Sequence, residues 1–130
     1  MTDKEELYET LGELIYVVAK ADGIIQEKEV DALTKILENH PWASTIQWSF
    51  DYEVNRADDI DFVYKKVMDF CYQFGPTPEY HEFIDVMMEI ADASDGIDKA
   101  EAKVISSFSR DLIDRFNRDI EKIKSQEDKE

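Results

Sequence analysis

Cysteine is nearly absent from these 130 residues: Cys71 stands alone. No internal disulfide can form, so the chain must hold itself together through its core. Glycine and proline are scarce, at four and three residues, which leaves little material for long loops or chains of tight turns. Long apolar runs are missing too. The longest, Leu14 to Ala19, falls far short of the roughly 20 residues that cross a bilayer, so direct membrane insertion is not expected. The opening Met-Thr-Asp-Lys-Glu-Glu has neither the basic nor the apolar region of a secretory signal. With the lone cysteine, it makes the cytoplasm the expected location. Basic residues are outnumbered, 15 Lys and Arg against 31 Asp and Glu, for a formal net charge of −16. Such a chain repels phosphate backbones and the anionic inner leaflet, because binding either one requires Lys and Arg to displace counterions. Nucleic acid is therefore not an expected ligand. Cations and basic protein surfaces suit this charge, which also serves simple solubility.

What is present is helical periodicity. A chain of this length can bury roughly two-thirds of its unfolded surface, and one domain over residues 1–130 is expected. Its core should span about 3–116, with a polar C-terminal helix or tail over 117–130. Thr2-Asp3-Lys4-Glu5 has the capping-box pattern, and Leu7, Leu11, Leu14, Ile15 and Val18 follow as one apolar stripe ending near Asp22-Gly23. Val30, Leu33, Ile36 and Leu37 form a second stripe, closed by Asn39-His40-Pro41. Between Trp42 and Ala57 the aromatics Trp42, Trp48, Phe50 and Tyr52 partly alternate with polar residues. A short helix with irregular flanks is expected there, since a lone strand would have no partner for its backbone groups. Asp58 or Asp59 should cap a helix carrying Ile60, Val63, Val67, Phe70 and Phe74, ended by Gly75-Pro76. Thr77-Pro78 should open another, with Phe83, Val86, Met87 and Ile90 inward. The last, with Ala102, Ile105, Phe108 and Leu112 inward, should fray from about Ser125.

Two segments follow one plan. Ala21-Asp22-Gly23-Ile24-Ile25-Gln26-Glu27-Lys28-Glu29 and Ser94-Asp95-Gly96-Ile97-Asp98-Lys99-Ala100-Glu101 each give an Asp-Gly turn, an isoleucine, a capping residue and a glutamate three residues later. Gln26 and Asp98 are offset by 72 residues, as are Glu29 and Glu101, whereas Asp22 and Asp95 are offset by 73. The first loop therefore carries one extra residue. Gly23 and Gly96 would supply left-handed residues at helix ends, and Ile25 and Ile97 would staple the turns. The expected fold is all-α: a single-domain bundle of two pseudo-symmetric helical hairpins with the Asp58–Phe74 helix between them.

These residues also resemble a known family. Leu14-Ile15-Tyr16-Val17-Val18-Ala19-Lys20-Ala21-Asp22-Gly23 followed by Glu29, and Ile90-Ala91-Asp92-Ala93-Ser94-Asp95-Gly96 followed by Glu101, are similar to the paired signature of TerB-like domains. That family takes in tellurite-resistance TerB proteins and the TerB-like part of membrane-anchored DjlA co-chaperones. The resemblance spans roughly residues 5 to 115. It implies an all-α fold, an acidic metal site without established catalysis, and stress-response assemblies with protein partners near the membrane.

Asp22, Glu29, Asp95 and Glu101 are hard oxygen ligands that a pseudo-two-fold could gather into one cluster, with Glu27, Asp92 and Asp98 as second-tier candidates. Such a cluster would suit Ca²⁺, Mg²⁺ or Mn²⁺, and without a counter-ion it would hold raised carboxyl pKa values. The competing reading is structural: Asp-Gly is a common turn, and Glu29 and Glu101 sit where a capping box wants glutamate. An EF-hand fails, because its early ligand positions would fall on Val18 and Lys20, or on Ala91 and Ala93. Cys71 between Phe70 and Tyr72 reads as core, His40 as a helix-end contact and His81 as surface. The Trp42–Tyr52 aromatics could complete the core or form a partner patch. The functional expectation is a non-catalytic binding or scaffold module presenting an acidic, cation-binding face to protein partners. Its rivals are a metal-independent interaction domain and a carboxylate-based metal hydrolase.

Overall fold

Each of the six segments forms a helix: α1 Asp3–Lys20, α2 Glu27–Leu37, α3 Ala43–Arg56, α4 Ile60–Phe74, α5 Glu79–Asp92 and α6 Lys99–Glu127. The structure, a computed structural model, describes residues 3–93 and 96–127, and among them there is no strand. The fold is the expected all-helical bundle.

Helix α1 is the axis of the bundle. It packs against α3, α4, α5 and α6, and every residue from Leu14 to Ala19 is buried. A single inward stripe understates such a helix, since one surrounded by neighbours is apolar on all sides. The short run Leu14 to Ala19 is thus the signature of a central helix. Helix α1 approaches α3 tightly at Gly12. A side-chain carbon there would lie 2.6 Å from the Ile46 carbonyl oxygen and 2.7 Å from Ser49 Cβ, so only glycine lets these helices meet so tightly. The Ser49 hydroxyl donates across the same contact to the Glu9 carbonyl at 2.6 Å.

The two hairpins, α1–α2 and α5–α6, exchange contacts reciprocally: α2 lies on α5 as α1 lies on α6, and α1 and α5 face each other. An approximate two-fold between duplicated hairpins requires this pattern. Leu14 and Ile90, each preceding an Asp-Gly loop, are both fully buried.

Several local expectations need correction. The aromatic segment is a full 14-residue helix rather than a short one, because Ile46, Ser49, Phe50 and Glu53 give it a buried face. Val30 is exposed, and its place on the α2 stripe is held by buried Glu29. Ile36, Phe70 and Ile105 are only half-buried. Ile97 does not staple its turn but stays exposed, while Ile25 packs on the core. Asp59 occupies the N-cap position of α4 without a side-chain capping bond, and Asp58 bonds instead to the Arg56 guanidinium at 3.1 Å. Helix α5 begins only at Glu79, with the Thr77 hydroxyl donating to the Glu79 carboxylate. Thr2, half of the first capping box, lies outside the described residues.

Candidate metal centre

The first Asp-Gly loop and the start of α6 lie at the same end of the bundle, since carboxylate oxygens of Asp22, Asp98 and Glu101 come within 4.8 Å of one another. In the first loop Gly23 takes φ +100° and donates its N–H to the Lys20 carbonyl at 2.8 Å. Only a residue without Cβ adopts that conformation at little cost. The turn leaves Asp22 with its Oδ1 accepting from Ile24 N–H at 3.1 Å. In the second loop Gly96 takes φ +91°.

The following helices open on the expected capping pairs. Glu29 Oε1 accepts from the Gln26 N–H at 3.0 Å. In α6, Asp98 Oδ1 accepts from the Glu101 N–H at 2.8 Å, and Glu101 Oε1 reaches the Asp98 N–H at 3.5 Å. Each glutamate spends one oxygen on a helix start, so the structural reading of these residues holds as far as it goes. It accounts for half of each carboxyl.

The other halves are the unusual feature. Glu29 and Glu101 are each 2% exposed, and among the described residues no protein donor reaches Oε2 of either one. The two carboxyls meet across the hairpin interface. A carboxylate pair in this position can bond only by holding a proton between its members, or by sharing a cation. Burial first, and then the bond to and charge of Glu29, push the Glu101 carboxyl up to about 8, so the pair together favours keeping a proton. Burial also raises Glu29, opposed by the Gln26 N–H and by its bond to Glu101, while Asp22 and Asp98 push it further up. Asp22, Asp98 and Glu101 each offer a carboxylate oxygen, and these lie within 4.8 Å of one another.

Of the residues singled out by sequence, the fold thus brings together Asp22, Glu101 and the second-tier Asp98, with Glu29 against Glu101. Glu27 and Asp92 are exposed and are not among the three carboxylates that converge. Asp95 lies outside the described residues. The donor set suits a hard divalent cation: all oxygen, mostly carboxylate, with two orphaned buried oxygens beside it.

A second carboxylate cluster was not foreseen. Glu53, 1% exposed, faces Asp58, and Lys66 Nζ bridges Glu53 at 3.1 Å and Glu13 at 3.2 Å. The available signal was the position of Glu53 on the Ile46–Phe50 stripe, where an apolar residue belongs. His40 also does more than end a helix. Its Nδ1 accepts from the Trp42 N–H at 3.0 Å, which leaves the proton on Nε2 to face Glu82 Oε1 at 2.7 Å. Tyr8 donates to Glu82 Oε2 at 3.3 Å. His81 is exposed. Burial pushes the fully buried Cys71 thiol up to about 12, so it is core and no nucleophile at neutral pH.

Such a molecule is a helical module whose duplicated hairpins set an acidic site at their junction. The chain belongs to the tellurite resistance protein TerB family, whose model matches residues 9–124. No curated protein and no solved structure matches it. No helix among the described residues is long and apolar enough to cross a membrane.

Proposed function

We propose that this chain is a non-catalytic TerB-type module that binds one divalent cation between its hairpins and presents the loaded acidic face to protein partners. The observation that carries the reading is the pair Glu29 and Glu101, buried face to face with one unpartnered oxygen each. Keeping two carboxyls there costs desolvation and repulsion, and a capping role alone does not require it. Gln would serve an N3 position equally well. Asp22 and Asp98 stand at the more exposed edge, where an ion could enter from solvent.

Ca²⁺, Mg²⁺ and Mn²⁺ are the fitting ions, since all accept carboxylate oxygen and none needs the thiolate or imidazole ligands that this cluster lacks. Binding has to displace the proton on Glu101, so apparent affinity rises with pH until that carboxyl, at about 8, is ionised. Hydrolysis would need a base or orienting group beside a metal-bound water. The converging groups here are carboxylates already tied to helix starts and a turn, which favours binding over catalysis. In a stress-response setting of the tellurite-resistance type, such a site would let cation occupancy set the charge and rigidity of the face offered to a partner.

The test is thermal unfolding in chelator and then in Ca²⁺, Mg²⁺ or Mn²⁺ at pH 8. A ligand that binds only the native state stabilises it by mass action, about 2.7 kcal/mol at a hundred times Kd. The expected outcome is a rise of several degrees in Tm with at least one ion. An unchanged Tm with all three would leave the metal-independent interaction domain as the surviving reading.

A further inference from the structure

Helix α3 packs chiefly on α1, which leaves its opposite face open. That face is not built like the rest of this acidic surface. Trp48 is 59% exposed and Tyr52 is 43% exposed, and their rings stack at 5.5 Å. The Arg56 guanidinium lies 5.4 Å from the Tyr52 ring centroid and donates to its hydroxyl at 3.2 Å. Residues 48, 52 and 56 are one helical turn apart, so they form a ladder of Trp, Tyr and Arg running up the helix. The guanidinium finishes the ladder at the Arg56 end. At the other end Trp48 borders a shallow groove between α2 and α3, lined with Thr34, Glu38, Ser44, Gln47 and Asp51.

Two half-exposed stacked aromatics are costly to leave in water, and an exposed Trp beside a Tyr and an Arg has the composition of an interface hot spot. We propose that this face docks a basic, arginine-bearing segment of a partner protein, one guanidinium stacking on Trp48 and pairing with the carboxylates of Asp51 and Glu38. Charge selects this occupant. The net charge of −16 repels a second copy of the chain, an anionic membrane and nucleic acid alike, whereas a basic segment is attracted from a distance. Arginine is favoured over lysine because its planar, weakly hydrated group stacks on an aromatic face while forking onto a carboxylate. The molecule already uses that contact internally, with Arg56 over Tyr52 and with Arg115 5.0 Å from the Tyr72 centroid. Gln47 donates to Asp51 Oδ1 at 2.9 Å and fixes the carboxylate beside the indole. This surface shares no residue with the carboxylate site between the hairpins.

The experiment titrates the full chain, in chelator, with capped hexa-arginine and then with capped hexalysine, following the two tryptophan indole N–H signals by NMR. Chelator keeps the outcome independent of cation binding. Hexa-arginine should shift the Trp48 signal and leave that of Trp42 in place, and hexalysine should bind several-fold more weakly. Trp48→Ala should weaken hexa-arginine about fivefold, the size of one exposed cation–π contact, and Asp51→Asn should weaken it by a similar factor. Phe62→Ala, which removes another exposed aromatic, on α4, should change nothing. Each variant's helicity is checked by circular dichroism, and these exposed positions should fold normally. Equal binding of both peptides, or wild-type binding by Trp48→Ala, would reduce the effect to net charge and overturn the proposal. Self-association lost on Trp48→Ala, or Trp48-dependent binding to phosphatidylglycerol vesicles, would assign the face to another occupant and overturn it as well.

Discussion

Two carboxyl pairs in this bundle each include a buried glutamate, and they are built differently. In one, Glu53 meets Asp58, and the protein supplies its own cations: Lys66 to Glu53 and Glu13, and Arg56 to Asp58. In the other, Glu29 meets Glu101 beside Asp22 and Asp98, and burial together with Glu29 holds the Glu101 carboxyl above its ordinary range. Both glutamates of the second pair and Glu53 of the first leave one oxygen without a donor. Burial of a carboxylate is therefore not the mark of a site here. Around Lys66 the cluster is a strut between α1, α3 and α4, whereas at the other pair burial and Glu29 hold the Glu101 carboxyl raised.

The sharpest way to break the contrast is to remove the built-in cation. Lys66→Met should cost about 2–3 kcal/mol in chemical denaturation. Breaking a buried pair costs about 3–5 kcal/mol, and the figure is discounted because the Lys66 side chain is 45% exposed. The variant should also lose stability as pH rises through the carboxylate range, making the first cluster behave like the second. A change below about 0.5 kcal/mol would mean that the bridge carries nothing.

Next in size is Glu101→Gln, which keeps the helix-start acceptor and offers Glu29 a permanent N–H donor. In chelator at pH 8 it should raise stability by about 1 kcal/mol, and it should abolish any cation-dependent rise in Tm. If it destabilises instead, the pair contributes to the fold as it stands. Asp22→Asn combined with Asp98→Asn is subtler, since Asn caps α6 as well as Asp does. Stability in chelator should move by no more than about 0.5 kcal/mol, while the response to cations disappears.

The remaining effect is a slope. Glu101 is raised in the folded state to about 8 from an ordinary value near 4.5, so between those values the folded protein holds a proton that the unfolded chain has lost. Stability contributed by that proton is present below about pH 4.5 and is lost as pH rises through about 8. Urea titrations of the metal-free protein should show this decline, Glu101→Gln should flatten it, and saturating cation should reverse it. A wild-type slope equal to that of Glu101→Gln would remove the proton from the account.

The fold was legible where the chemistry is local. Asp-Gly turns, capping pairs and apolar spacing placed five helices, because each depends on neighbours within a turn or two of chain. Helix α3 was blurred, since its buried face is short and includes Ser49 and Glu53, chosen for contacts with α1 and Lys66 that no local pattern contains. The repeat drew attention to Asp22, Glu29 and Glu101, and their common end of the bundle follows from the hairpins' reciprocal packing. That both glutamates would be buried was not read from the sequence, although a signal for it was there. Extending the stripes Leu33–Leu37 and Ile105–Phe108–Leu112 back by one step lands on Glu29 and Glu101, at positions facing the core. What sequence could not supply is the pairing partner across the interface, nor the Tyr8–Glu82–His40 contact, which joins residues 42 and 74 positions apart.

The central claim is that an ion exchanges for the proton held between Glu29 and Glu101. Isothermal titration of the metal-free chain at pH 7, in two buffers of different ionisation enthalpy, measures this directly, because the difference in heat counts the protons released. The account predicts one bound cation and the release of roughly one proton, since a carboxyl near 8 is about nine-tenths protonated at pH 7. Absence of binding heat with Ca²⁺, Mg²⁺ and Mn²⁺, or binding whose heat is the same in both buffers, would contradict it.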